Sequence, residues 1–134
     1  MKTKEPLWIE ERDVRAIHDR LVAIHGGATG SRDRELPQFA LAHPRQHHAY
    51  ADSADIIRMA ALYTAAFVRN HPFVDGNKRT GFVVGVLFLE LHGFDFNASE
   101  EDATQAFLSL AAGTLDEAAF AAWLRANVRR KRSR

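Results

Sequence analysis

His71, Asp75, Asn77, Lys78 and Arg79 fall within one short stretch, His-Pro-Phe-Val-Asp-Gly-Asn-Lys-Arg-Thr at 71–80. Pro72 disfavours the α conformation at the residue before it, so a preceding helix ends at His71. Gly76 frees the backbone for a turn, and Asn77 is a good N-cap residue. A helix that starts there opens with free N–H groups, a partial positive charge and two cations, Lys78 and Arg79. That combination is a cradle for phosphate. Phosphoryl transfer asks a protein mainly for positioning and charge neutralisation. His71 carries the one side chain on the loop that ordinarily accepts a proton near neutral pH, and it is the candidate general base. Asp75 suits Mg²⁺, which binds through one or two carboxylates together with phosphate oxygens. Lys78, Arg79 and the N–H groups of 76–78 would stabilise charge on the transferred group. Asn77 has two candidate tasks, phosphate contact and N-cap, while Phe73 anchors the loop in the core.

Each of these residues has an ordinary reading when taken alone. A lone histidine is more often structural than a base, an aspartate beside glycine is a turn residue, and a Lys-Arg pair is usually solvated. Their fixed spacing at the head of an apolar helix is what carries the chemical reading. Walker A and Rossmann glycine patterns are absent from the sequence, so neither a P-loop nor a dinucleotide fold competes.

The loop must be positioned by helices. Val14, Ile17, Leu21 and Ile24 recur at helical spacing between about 10 and Gly26-Gly27, with His18 and His25 read as surface or boundary residues. Leu7-Trp8-Ile9 reads as a short extended lead-in. Residues 28–33 read as a loop. Ser31-Arg32-Asp33 then suggests a capped short helix carrying Leu36, Phe39, Ala40 and Leu41 and ending before Pro44. His43, His47 and His48 invite a metal reading, but Pro44 makes a common helical face doubtful, and a histidine-rich loop edge is the better expectation. Asp52 or Ser53 can cap the next helix, whose inner face holds Ile56, Ala60, Tyr63 and Phe67 and which ends near Asn70. The helix 77–92 is apolar almost all round, so it is expected at the centre of the fold, with Gly81 and Gly85 admitting a close neighbour. Ser99 starts a further helix that ends at Gly113. Residues 114–117 start the last one, which buries Phe120, Trp123 and Leu124. The expectation is an all-α fold, a compact bundle of five to six helices around a central buried helix. Strand signal is confined to a small flap and to 94–96.

A chain of 134 residues, 46% hydrophobic and 26% charged, reads as one soluble domain. With no cysteines, disulfides and thiolate metal sites are excluded. No stretch reaches the length of a membrane span and no signal core follows the first residues, so no membrane partner and a cytoplasmic location are expected. The net charge is +1, yet five of the last six residues are basic, which leaves the body net negative. The chain divides on this reading into a domain, 1–128, and a basic tail, 129–134, read as a solvated end.

The 71–80 stretch resembles the signature loop of the Fic/Doc superfamily, in its Doc (death-on-curing toxin) version. The broad Fic signature is His-Pro-Phe-x-Asp/Glu-Gly-Asn-Gly-Arg-x-x-Arg. Lys78 stands where its second glycine would be, and Val83 falls near the place of its last arginine. Both departures point away from AMP transfer and towards the Doc branch, whereas Gly76 is the Fic residue at a position where Doc proteins often carry alanine. The segment Arg32-Asp33, Leu36, Ala40, Pro44-Arg45-Gln46 is similar to a flap region of Doc-like proteins, so the resemblance runs well outside the signature. It implies a Fic fold and ATP with Mg²⁺ as cofactors. The implied outcome is phosphorylation of a threonine of elongation factor Tu, which halts translation. Arg69 matches a Doc-like arginine two residues before the motif histidine and is expected to hold or orient phosphate, together with Gly76, Asn77, Lys78 and Arg79. A cognate antitoxin is the implied partner, and nucleic acid is reached only indirectly through it. AMP transfer to a protein hydroxyl is the runner-up chemistry, and a mainly antitoxin-binding co-repressor with little catalysis is the alternative outside enzymology.

Overall fold

The computed structural model describes residues 5–27, 36–50, 55–70 and 77–131, though not the side chains of 36–40, 43, 50, 70 and 78. Among the described residues there are six helices and one small sheet. The helices are α1 (Glu11–His25), α2 (Leu36–Tyr50), α3 (Ile56–Asn70), α4 (Asn77–Leu91), α5 (Glu100–Ala112) and α6 (Glu117–Ala126). The strands β1 (Phe94–Phe96) and β2 (Val128–Arg130) pair antiparallel, with Phe94 opposite Arg130 and Phe96 opposite Val128. The architecture is the all-α bundle expected. No described helix is long and apolar enough to cross a membrane.

Local chemistry sets most helix ends. Glu10 and Asp13 form a reciprocal capping box at α1. Ser99 Oγ accepts from the Asp102 N–H at 3.1 Å and opens α5, and Gly113 closes it with φ +82°. Asp116 Oδ1 accepts from Ala119 N–H at 2.8 Å and opens α6. At α3 the cap is Asp55, whose Oδ1 accepts from Arg58 N–H at 2.7 Å. Asp52 and Ser53, the caps expected from sequence, lie outside the described residues.

The central helix is α3, not α4 as its sequence suggested. Every residue from Met59 to Val68 is buried. Ala60, Ala61, Thr64, Ala65 and Ala66 make α3 thin enough for α2, α4, α5 and α6 to pack around it. The bulkier α4 leaves Phe82, Val83, Val86 and Leu87 half-buried and Leu91 exposed.

Three further expectations change with packing. The second helix runs straight through Pro44, although proline removes one backbone hydrogen bond and crowds the carbonyl four residues back, a cost of about 3 kcal/mol. Leu41, Pro44 and His48 are all buried, His48 against the Trp8 ring, and the burial of that stripe offsets the cost. His18 is only 1% exposed rather than at the boundary, because Val14, His18 and Val22 form the inward row of α1. Ile24 lies off that row and is exposed. Arg129 and Arg130, read as the start of a solvated tail, belong to β2. Lys131 N–H donates to Gly93 O at 2.8 Å, and the Arg130 guanidinium lies 5.2 Å from the Phe94 ring centre. Of the expected flap, Arg32-Asp33 lie outside the described residues, and the part from Leu36 through Pro44-Arg45-Gln46 is helical.

The lead-in before α1 is neither helix nor strand, and it is pinned by side chains. Ile9 is buried and its N–H donates to the Tyr63 hydroxyl at 3.1 Å. Leu7 N–H donates to His92 Nε2 at 2.9 Å, while His92 Nδ1 lies 2.7 Å from Phe88 O. That pairing requires a neutral His92 with its proton on Nδ1. Trp8 stacks on Phe88 with ring centres 6.2 Å apart and meets the edge of His48 at 5.5 Å. Burial pushes the Tyr63 phenol up to about 12, against the opposing effects of the Ile9 hydrogen bond and Arg45.

Candidate active site

The site is built at the junction of α3 and α4. Residues 71–76 join the two helices, so the ends of α3 and α4 are the anchors of the loop that carries His71, Asp75 and Gly76. These three residues lie outside the described residues. What the structure describes is the frame on either side of them.

That frame is tight. The Thr64 hydroxyl donates to Gly81 O at 2.8 Å in a fully buried contact between the helices. A Cβ at Gly81 would stand 2.9 Å from Phe67 Cβ and 3.1 Å from Thr64 O. A Cβ at Gly85 would collide with Thr64 Oγ1 and lie 3.1 Å from Ala60 O. The two glycines therefore admit the close neighbour the sequence predicted, and that neighbour is α3. Side-chain packing of this kind leaves little freedom for the first turn of α4 to shift relative to the last turns of α3.

Helix α4 begins at Asn77, which is buried, and its first turn continues through Lys78 to the exposed Arg79 and the fully buried Thr80. Asn77 is thus counted within the helix, one step on from the cap position. No acidic residue occupies this first turn. Helices α2 and α3 likewise have none, whereas Glu11, Asp13, Glu100, Glu101, Asp102 and Glu117 occupy the first turns of α1, α5 and α6. An acid in the first turn complements the helix dipole. A cation there opposes it, by about 0.3–1 kcal/mol each at low salt. Lys78 and Arg79 put two cations of the sequence in that turn, and an anion bound there would offset their opposition to the dipole. The residues present therefore fit a phosphate group.

Arg69 sits in the last turn of α3, and its Nη1 lies 3.3 Å from Oε1 of Glu117, the first residue of α6. Sequence reading placed Arg69 beside the loop but missed Glu117, for which a helix-initiating role was a sufficient explanation. Thr80 was also missed. Its hydroxyl is buried with no hydrogen-bond partner among the described residues, and the only sequence signal was its place at the end of the motif. Of the histidine group of α2, His48 lies against the lead-in and not in this frame. His48 is buried, with Nδ1 3.8 Å from Glu5 Oε2.

Comparison with known proteins agrees with the motif. The profile of the Fic/DOC family matches residues 8–89, a span that includes α1 to α3, the loop and most of α4. The chain is also similar to "Protein kinase doc" of Escherichia phage P1, with 30% identity over 93 residues, covering 69% of this chain and 74% of the relative. The signature stretch, the helical frame that holds it and these two matches lead to one assignment: the chain belongs to the Fic/DOC family.

Proposed function

We propose that this chain is a Doc-like toxin, an ATP-dependent phosphotransferase that modifies a threonine hydroxyl of elongation factor Tu and arrests growth. The observation that carries the reading is Lys78. Within a Fic/DOC chain similar to a protein kinase, it stands at the second residue of α4, where the Fic signature has glycine. A glycine there leaves space for an α-phosphate close to the helix end. A lysine there is a long cation instead, and the resemblance to Doc implies that ATP then sits with its γ-phosphate at the helix N-terminus.

On this reading His71 takes the proton of the threonine hydroxyl as its oxygen attacks the γ-phosphorus. The bond from that phosphorus to the β–γ bridging oxygen breaks, and ADP leaves. Lys78, Arg79, Asn77 and the backbone N–H groups from Gly76 onward hold the phosphate oxygens, and Arg69 orients them from the end of α3. Asp75 is the residue that would hold Mg²⁺, which neutralises phosphate charge when bound. Restraint falls to a cognate antitoxin, because the sequence carries no inhibitory motif of the Ser/Thr-x-x-x-Glu-Gly/Asn kind. A disordered antitoxin segment that folds on binding could cover the loop with few residues.

One observation favours a second reading. Gly76 is the residue of the AMP-transferring branch, at a position where Doc proteins often have alanine. The test is direct. With purified protein, elongation factor Tu and Mg²⁺, label from γ-labelled ATP should reach the target and label from α-labelled ATP should not. Lys78→Gly should weaken γ-transfer. Transfer of α-label by the unmutated chain would replace the kinase by an AMP transferase.

A further inference from the structure

Helix α6 runs antiparallel to α3 and is tied to it at both ends. At one end Arg125, in the last turn of α6, has Nη2 3.1 Å from Oδ2 of Asp55, the cap of α3. At the other, Glu117 in the first turn of α6 meets Arg69 in the last turn of α3 at 3.3 Å. Between the two pairs Phe120, Ala121 and Leu124 are buried and set the register of α6 along α3. Each charge also suits the end of the helix that bears it, acids at N-termini and cations at C-termini. Glu117 is about three-quarters buried on its side chain, whereas Arg69 is 40% exposed, so the carboxylate is the fixed partner and the guanidinium the one held.

We infer that Glu117 is a positioning residue for phosphate binding: from α6 it holds the Arg69 guanidinium at the C-terminal end of α3. The inference rests on the reading of Arg69 as a phosphate contact given above. Its geometry is compatible with that task. A guanidinium has five N–H donors in a planar fork, and the contact with Glu117 engages one η nitrogen. An arginine left to roam its rotamers must be ordered at the moment ATP binds. One already ordered by a carboxylate beneath it is pre-organised. Helix α6 lies beyond the stretch matched by the family profile, 8–89, so the contact supplies the motif from outside the signature region.

A double-mutant cycle on the full chain tests this, read by the dissociation constant of ATP with Mg²⁺ in titration calorimetry, alongside far-UV circular dichroism. Exposed ion pairs shift populations by up to about fivefold, so Glu117→Ala should weaken ATP binding about two- to fivefold. Glu117→Gln, which keeps the accepting oxygen, should lie between it and the parent. In an Arg69→Ala background, Glu117→Ala should have no further effect on affinity, because nothing remains for it to position. Equal losses in both backgrounds would make Glu117 a structural residue of α6 and overturn the inference while leaving the kinase reading intact. An Arg69→Ala protein with unchanged affinity would remove Arg69 from phosphate binding and the inference with it. A parent that transfers no γ-label but shows the cycle as described would defeat the proposed chemistry and leave the positioning role standing.

Discussion

Replacing Gly81 by alanine tests whether the α3–α4 contact is as close as it must be to hold the loop. The added Cβ would meet Phe67 Cβ at 2.9 Å and Thr64 O at 3.1 Å, against a favourable carbon–carbon separation of about 3.5–4.0 Å. Neither neighbour is the end of a flexible side chain. Phe67 is fully buried and its Cβ moves only with the backbone of α3. The first turns of α4 must therefore retreat by a few tenths of an ångström or more. Overpacking of this kind costs about 1–3 kcal/mol. The retreat also stretches the buried hydrogen bond from the Thr64 hydroxyl to Gly81 O, now 2.8 Å long, a bond worth about 0.5–1.5 kcal/mol. Alanine returns about 1 kcal/mol through its better helix propensity. The net expectation is a loss of about 1–3 kcal/mol, measured by equilibrium urea unfolding followed by far-UV circular dichroism. Combining it with Phe67→Leu should give no relief, because that change leaves the offending Cβ in place. A Gly81→Ala protein as stable as the parent, or more so, would show that the helices are not in contact there and that the frame of the loop is looser than described.

The remaining predictions concern the base and the buried phenol. Expression of the chain without an antitoxin should arrest growth, and His71→Ala should relieve the arrest and abolish γ-transfer while leaving helical content unchanged. Full toxicity in a folded His71→Ala protein would end its assignment as base. Stability should fall at high pH through Tyr63. Its folded value of about 12 lies above the unfolded value of about 10, so the native state holds its proton more tightly. The resulting stabilisation, about 3 kcal/mol, is fully present below pH ~10 and is lost as pH rises towards ~12. Tyr63→Phe should remove that limb of the pH–stability curve while costing about 1 kcal/mol at neutral pH, because Ile9 N–H loses its acceptor. Parent and variant curves that stay parallel from pH ~9 to ~12 would count against the desolvation argument.

Much of this protein is legible from neighbours in sequence. The caps at Ser99 and Asp116, the stops at Gly93 and Gly113, and the start of α4 at Asn77 depend on a few adjacent residues, and the sequence predicts them to within a residue or two. The placement of Lys78 and Arg79 in an acid-free first turn is equally local, since a helix that starts after Gly76 has no other residues to put there. What the tertiary structure alone decided is everything that depends on a partner. Helix α4 carries the bulkier apolar residues, yet α3 is central, because burial on all sides requires small residues that let several helices approach. Pro44 stays helical because the buried stripe of Leu41, Pro44 and His48 outweighs one missing hydrogen bond. Val128–Arg130 has no strand signal of its own and pairs only because Phe94–Phe96 offers an edge. The contact between Arg69 and Glu117 joins residues far apart in the chain, and it exists because the packing of Phe120 and Leu124 brings the first turn of α6 to the last turn of α3. Caps and turns respond to adjacent atoms, whereas burial and charge pairing respond to what folding brings near.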